Sequence, residues 1–62
     1  MPIVQIELLE GRTTEQKRAL AEKVTQAIVE SVNCPPSAVS IIIRDMPRTN
    51  YARAGVLASD SK

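Results

Sequence analysis

The sequence lacks most of the groups that stabilise or activate a small protein. It has one cysteine, Cys34, no histidine and, apart from one tyrosine, no aromatic residue. A single cysteine cannot form a disulfide within the chain, and without histidine it does not make a zinc site. A chain of 62 residues buries only about 60% of its unfolded surface, so its core is marginal. We therefore expect a homo-oligomer that uses no metal and no cofactor.

The chain also lacks an excess of either charge and any long apolar run. Its formal net charge is +1, whereas a nucleic-acid-binding surface needs clustered lysine and arginine. No apolar stretch approaches the length of about 18 residues that a membrane span requires. We expect one domain over residues 1–62 that binds neither nucleic acid nor membrane and lies in the cytoplasm.

Without histidine, few side chains can exchange protons near neutral pH. Pro2 directly follows Met1, and methionine aminopeptidase removes an initiator methionine that precedes a small residue. The exposed α-amino group would then titrate nearest neutrality, since its ordinary pKa is about 7.7–8.0. Pro2 is therefore a leading candidate for a general base. The alternative is structural, because proline is also tolerated as the first residue of a strand.

The first half of the chain predicts a strand followed by a long helix. Val4, Ile6 and Leu8 alternate with the residues between them, which is typical of a strand with one buried face. Thr13 and Gln16 have the spacing of a capping box, which predicts the start of a helix of about five turns. The apolar stripe predicted for this helix consists of Leu20, Val24, Ala27, Ile28 and Val32.

The second half predicts another strand and a short tail. The Pro35–Pro36 pair ends the helix, and the β-branched run Ile41–Ile43 is typical of a strand buried on both faces. One helix covers only one face of a two-stranded sheet, so a second chain must cover the other. Turn residues around Gly55 predict a hairpin or loop and then a frayed end. The fold class is α/β (α+β): a parallel β-α-β unit with a short C-terminal hairpin, its sheet completed by oligomerisation.

One long motif points to a known family. The chain contains P-I-x-x-I-x-x-L-E-G-R-[ST]-x-E-Q-K and, with its helix, proline turn and second strand, resembles the 4-oxalocrotonate tautomerase family over essentially its whole length. The residues that match the motif are Pro2, Ile3, Ile6, Leu9, Glu10, Gly11, Arg12, Thr13, Glu15, Gln16 and Lys17. The resemblance implies a tautomerase-like fold, a role in aromatic catabolism, and a hexamer, built as a trimer of dimers, whose pockets are lined by more than one chain.

The resemblance also implies roles for individual residues. After Met1 is removed, the secondary amine of Pro2 takes a proton from one carbon of an enol or dienol 2-oxo acid and returns it to another. Arg12 matches the arginine that binds a substrate carboxylate and draws electron density along the conjugated system. Tyr51 occupies the position of an aromatic pocket wall that is usually phenylalanine. The expected substrates are small acids such as 2-hydroxymuconate or phenylenolpyruvate.

The sequence departs from the family pattern at one position of the predicted site. Ser40 stands where the family has a second arginine, and a neutral hydroxyl cannot replace a cation at a developing negative charge. Arg44 lies on the same face of the strand but about 13 Å further along it, whereas Arg48 and Arg53 flank the tail loop and could reach the pocket. We expect weak turnover of dicarboxylates and a higher pKa for Pro2 than in relatives with the arginine.

Two other functions remain open at this stage. Hydratases and dehalogenases on the same scaffold use a carboxylate in the tail hairpin to activate water, but the corresponding position here is Arg53. A non-enzymatic oligomeric module, such as a strand-plus-helices DNA-binding dimer, needs a second helix where this chain has the strand-like run Ile41–Ile43. Both alternatives therefore fit the sequence less well than a tautomerase.

Overall fold

The computed structural model describes residues 1–61 and has a β-α-β core followed by a small hairpin. Its elements are β1 (Ile3–Leu9), α1 (Thr14–Val32), β2 (Ser40–Met46), β3 (Ala52–Arg53) and β4 (Val56–Leu57). β1 and β2 pair in parallel, with Ile3 opposite Ser40 and Leu9 opposite Met46. The sequence-based prediction of a parallel β-α-β unit is confirmed.

The helix begins and ends at the residues that its capping chemistry requires. The hydroxyl of Thr13 accepts a hydrogen bond from the backbone N–H of Gln16 at 3.1 Å, and the Gln16 side-chain oxygen accepts one from the Thr13 N–H at 2.9 Å. This reciprocal pair is the predicted capping box. At the other end, Asn33 adopts a left-handed conformation with φ of 59° and donates its N–H to the carbonyl of Val29.

One face of α1 packs on the sheet, but it is shifted from the predicted stripe. Leu20, Val24 and Ile28 are half-buried as expected, whereas Ala27 and Val32 are exposed. The half-buried face also includes Ala21, Thr25 and Val29. α1 has 19 residues and is about 28 Å long, while the seven residues of β1 span about 23 Å. The last turn of the helix, with Val32, therefore extends beyond the strands.

The two faces of the sheet differ in their cover. The helix-facing side chains of both strands are half-buried: Val4, Ile6, Leu8, Ile41 and Ile43. On the opposite face, Ile3 is 62% exposed and Ile42 is 40% exposed. One helix therefore covers one face of the sheet, as expected, and burial of the other face of β2 by a second chain stays a prediction.

Residues 1–61 form no interior of their own. No side chain within residues 1–61 is fully buried. The radius of gyration is 14.7 Å, whereas a compact chain of this length has about 10.5 Å. The principal dimensions of 42 × 24 × 14 Å describe a slab rather than a sphere. In the described part of the chain, no helix is both long and apolar enough to cross a membrane.

The tail forms the predicted hairpin and then a further turn. β3 and β4 pair in antiparallel fashion around Ala54 and Gly55, whose φ values of 53° and 83° are both positive. Positive φ at both central residues is characteristic of a type I′ hairpin turn. The predicted frayed end is wrong over Ala58–Asp60, which forms one turn of 3₁₀ helix and donates the Ala58 N–H to the Tyr51 carbonyl at 2.8 Å. Lys62 lies outside the described residues.

Candidate active site

Pro2 and Ser40 lie together at the N-terminal end of the sheet. The backbone N–H of Ser40 donates to the carbonyl of Pro2 at 3.0 Å, immediately before the paired residues Ile3 and Ser40. Pro2 is half-buried, whereas Met1 in front of it is 92% exposed. Because Met1 is so exposed, its removal costs the chain almost no packing and would leave a free amine at the start of β1.

Arg12 lies at the opposite end of the same strand. Gly11, with φ of 118°, makes the turn between β1 and α1 in a conformation that favours glycine. The seven residues of β1 therefore separate Pro2 from Arg12 by about 23 Å. The predicted base and the predicted carboxylate anchor are too far apart to contact one small substrate within one chain.

Arg12 borders a cleft between β1 and the first turns of α1. The cleft has a volume of about 320 Å³ and is lined by Leu8, Arg12, Gln16, Lys17 and Leu20. Lys17 forms an ion pair with Asp45 at 2.5 Å, whereas Arg12 has no acidic partner among residues 1–61. The capping box directly after Arg12 holds this end of the helix in place. Arg12 is therefore the cation in this cleft that is available to an anionic ligand.

Tyr51 lies in a second cavity, on the other face of the sheet. This cavity also measures about 320 Å³ and is lined by Leu9, Arg48, Tyr51, Arg53, Val56, Ala58 and Ser61. Arg53 donates from its guanidinium to the Tyr51 hydroxyl at 3.4 Å, a long hydrogen bond. Tyr51 and Arg53 also line a neighbouring cavity next to Leu9 and Met46. Tyr51 thus lines two cavities on this face, whereas Arg12 borders a different cavity of the same chain.

Glu10 anchors the hairpin side of this region, a role that the motif alone did not reveal. Its backbone N–H donates to the carbonyl of Met46 at 2.9 Å, and its carboxylate accepts the backbone N–H of Arg48 at 3.2 Å. Glu10 therefore ties the end of β1 to the segment that leads from β2 into the hairpin. Its place in the motif, directly before Gly11 and Arg12, was the available signal, but its partner became visible only in the fold.

Arg44 already forms an ion pair with a carboxylate of its own chain. Its guanidinium pairs with Glu7 at 2.8 Å, and Glu7 and Arg44 are direct cross-strand neighbours in the sheet. Ser40 and Arg44 share the exposed face of β2, as predicted, but the ion pair holds the Arg44 charge over the middle of that face. The structure therefore gives Ser40 no cation from its own strand.

Comparisons with known proteins match nearly the whole chain. Residues 2–61 match the family model described as tautomerase enzyme. The 2-hydroxymuconate tautomerase of Comamonas testosteroni is 50% identical over 60 residues, which cover 97% of this chain and 95% of that protein. Among solved structures, YwhB, a homologue of 4-oxalocrotonate tautomerase, has a TM-score of 0.94 at 43% identity and covers 98% of this chain and 100% of its own.

A second solved structure of similar fold belongs to a hexameric protein. The heterohexamer 4-oxalocrotonate tautomerase from Chloroflexus aurantiacus has a TM-score of 0.94 at 32% identity, and the match covers 100% of both chains. This level of similarity extends over the β-α-β unit and the hairpin together.

Proposed function

Because this chain belongs to the tautomerase family, and specifically to its 4-oxalocrotonate tautomerase-like members, we propose that it moves a proton in enol or dienol 2-oxo acids with Pro2 as general base. The observation that carries the proposal is the position of Pro2, half-buried at the start of β1 behind an exposed Met1, in a chain without histidine. 2-Hydroxymuconate and phenylenolpyruvate are the substrates we propose.

In the proposed reaction, the neutral amine of Pro2 accepts a proton from the enol acid and returns it to a carbon further along the conjugated system. The proton is transferred within the site, so the reaction needs no oxidant and no co-reactant. Arg12 pairs with a substrate carboxylate through its planar guanidinium and stabilises the negative charge that develops on the conjugated system. The Tyr51 ring excludes water from one side of the substrate.

The proposed site needs more than one copy of the chain. About 23 Å of strand separates Pro2 from Arg12, and a two-stranded sheet has two open edges that can pair with another chain. A two-fold axis perpendicular to the sheet makes the paired edges antiparallel. Such pairing brings the end with Pro2 and Ser40 in one copy towards the end with Arg12 and Tyr51 in the other. We propose a homohexamer built as a trimer of dimers.

The test is ketonisation of 2-hydroxymuconate and phenylenolpyruvate by the wild type and by Pro2→Ala. We expect Pro2→Ala to lower kcat/KM by about 10²–10⁴, the usual contribution of a general base. Intact mass establishes in the same samples whether Met1 has been removed. Pro36→Ala is the matched control, because it removes an exposed proline from the turn before β2. Equal activity of Pro2→Ala and wild type on both substrates would refute the proposal.

Cytoplasmic location and a role in the breakdown of aromatic compounds are part of the same proposal. They follow from the proposed substrates rather than from any contact in the fold. A hydratase or dehalogenase reaction is not proposed, because the hairpin position that would need a carboxylate carries Arg53.

A further inference from the structure

The cavity beside the hairpin is bordered by two arginine side chains. Arg48 and Arg53 both line it, and neither forms an ion pair with any acidic side chain of residues 1–61. Two carboxylates lie near the hairpin. Glu7 pairs with Arg44 and lines the neighbouring cavity together with Arg53, and Glu10 accepts the backbone N–H of Arg48. The two guanidinium groups therefore border an open cavity without an ion pair to residues 1–61.

Tyr51 adds a directed hydrogen-bond donor to this cavity. Its hydroxyl oxygen accepts the hydrogen bond from Arg53, which leaves the hydroxyl proton free to donate elsewhere. A guanidinium and an adjacent hydroxyl donor together suit the two oxygens of a carboxylate. The remaining lining consists of Ser61 and of three apolar residues, Leu9, Val56 and Ala58, which suit a short carbon chain. The cavity volume of about 320 Å³ matches a small organic acid.

We propose that Arg53 and the Tyr51 hydroxyl form a carboxylate subsite, bordered by Arg48, that binds the second acidic group of a dicarboxylate substrate. The inference rests on the proposed tautomerase function, because it assigns the first carboxylate to Arg12 of a neighbouring copy; within one chain Arg12 and Tyr51 border different cavities. It adds a cation from the hairpin to a site in which Ser40 offers only a neutral hydroxyl. Arg44 cannot take this role, because its ion pair with Glu7 holds it on the exposed face of the sheet.

A binding experiment tests the subsite without any catalytic step. Tyr51 is the only aromatic residue of the chain, so intrinsic tyrosine fluorescence reports on this cavity and on the neighbouring one that Tyr51 also lines. Adipate is the probe, because it is a saturated six-carbon dicarboxylate that cannot be isomerised. We expect saturable quenching or enhancement in the wild type at constant ionic strength. In Arg53→Gln we expect an apparent Kd about tenfold or more higher, the usual cost of losing a charged hydrogen-bond partner.

The matched control is Arg18→Gln. It removes the same charge from α1, where Arg18 pairs with Glu15 and lines none of the cavities described above. We expect Arg18→Gln to titrate like the wild type and Arg53→Lys to bind adipate with intermediate affinity. Circular dichroism establishes that each variant is folded. An Arg53→Gln protein that is folded and binds adipate like Arg18→Gln would overturn the inference.

Kinetics test the assignment to the second carboxylate. We expect Arg53→Gln to raise KM for the dicarboxylate 2-hydroxymuconate about tenfold more than KM for the monocarboxylate phenylenolpyruvate. An equal effect on both substrates would overturn the assignment. The two proposals fail separately. Full activity of Pro2→Ala would refute the proposed function and leave adipate binding in place, whereas an inactive Pro2→Ala with normal adipate binding by Arg53→Gln would refute only the subsite.

Discussion

At the scale of single residues, the distribution of cations decides what the proposed site can bind. Of the arginines in the second half of the chain, Arg44 is paired with Glu7, while Arg48 and Arg53 face a cavity. Ser40 lies next to Pro2 and contributes only a neutral hydroxyl at that end of the sheet. The proposed base, Pro2, therefore receives no positive charge from Ser40, its neighbour on the adjacent strand.

Ser40→Arg tests the consequence of this arrangement. A guanidinium beside Pro2 stabilises developing negative charge on the substrate, so we expect turnover of 2-hydroxymuconate to rise on the order of tenfold. The same cation disfavours the protonated amine and lowers the pKa of Pro2. Because the base must be neutral, activity in the variant should persist to lower pH than in the wild type. The measurement is kcat/KM as a function of pH.

Ser40→Gln is the control for this experiment, since it lengthens the side chain without adding charge. It should leave the acid limb of the pH profile where the wild type has it. A Ser40→Arg profile with the same or a higher acid midpoint would contradict the predicted electrostatic effect on Pro2.

At the scale of elements, the C-terminal hairpin holds Tyr51 and Arg53 through a turn that is not optimal. The type I′ geometry requires positive φ at both central residues, yet the first of them is Ala54, with φ of 53°. The left-handed conformation costs a residue with a Cβ about 1–2 kcal/mol. Gly55, with φ of 83° and open space around its missing side chain, meets the requirement at the second position. The hairpin is therefore stabilised by its pairing and by the Ala58–Tyr51 hydrogen bond rather than by its first turn residue.

Ala54→Asn should stabilise the hairpin, because asparagine tolerates the left-handed region and Asn-Gly is a favoured type I′ turn. We expect the free energy of unfolding to rise by about 1 kcal/mol, measured by urea denaturation at a fixed protein concentration. Ala52→Asn is the control, since Ala52 lies in the extended strand β3 and gains nothing from this preference. Equal shifts in both variants would show that turn geometry is not the cause.

At the scale of the whole molecule, one chain is a slab with an uncovered sheet face. The exposed Ile3 and Ile42 lie on that face, and no side chain of the described residues is fully buried. Apolar surface of this kind is stabilised when a second copy covers it. The same association is needed to bring the two ends of the sheet together, so stability and the proposed activity depend on one assembly.

Ile42→Glu should disrupt that assembly. A carboxylate in the middle of the uncovered face is costly to bury without a partner, so we expect sedimentation velocity to show loss of the oligomer and circular dichroism to show reduced structure. Ala19→Glu, which adds the same charge on an exposed position of α1, is the control and should remain oligomeric. A wild type that is monomeric at micromolar concentration, or an Ile42→Glu protein that assembles normally, would contradict this prediction.

Local patterns in the sequence were sufficient to predict the main elements. The alternation in β1, the Thr13–Gln16 capping box and the β-branched run of β2 each depend on residues a few positions apart, and all three are present in the fold. The precise face of α1 was not predictable in the same way. Which residues of this face are covered depends on how far the helix extends past the strands. Val32 lies in the part that extends past them and is therefore exposed.

The order of the elements and the family could be predicted from the sequence, because they depend on short-range patterns and on one long motif. Only the tertiary structure shows which charged side chains have partners far away in the sequence. Glu7 and Arg44 are 37 residues apart in the chain, and Glu10 and Arg48 are 38 apart, so only the parallel register of the strands pairs them. The extended strand β1 separates Pro2 from Arg12, and Arg53, beside Tyr51 in the hairpin, forms no ion pair with residues 1–61.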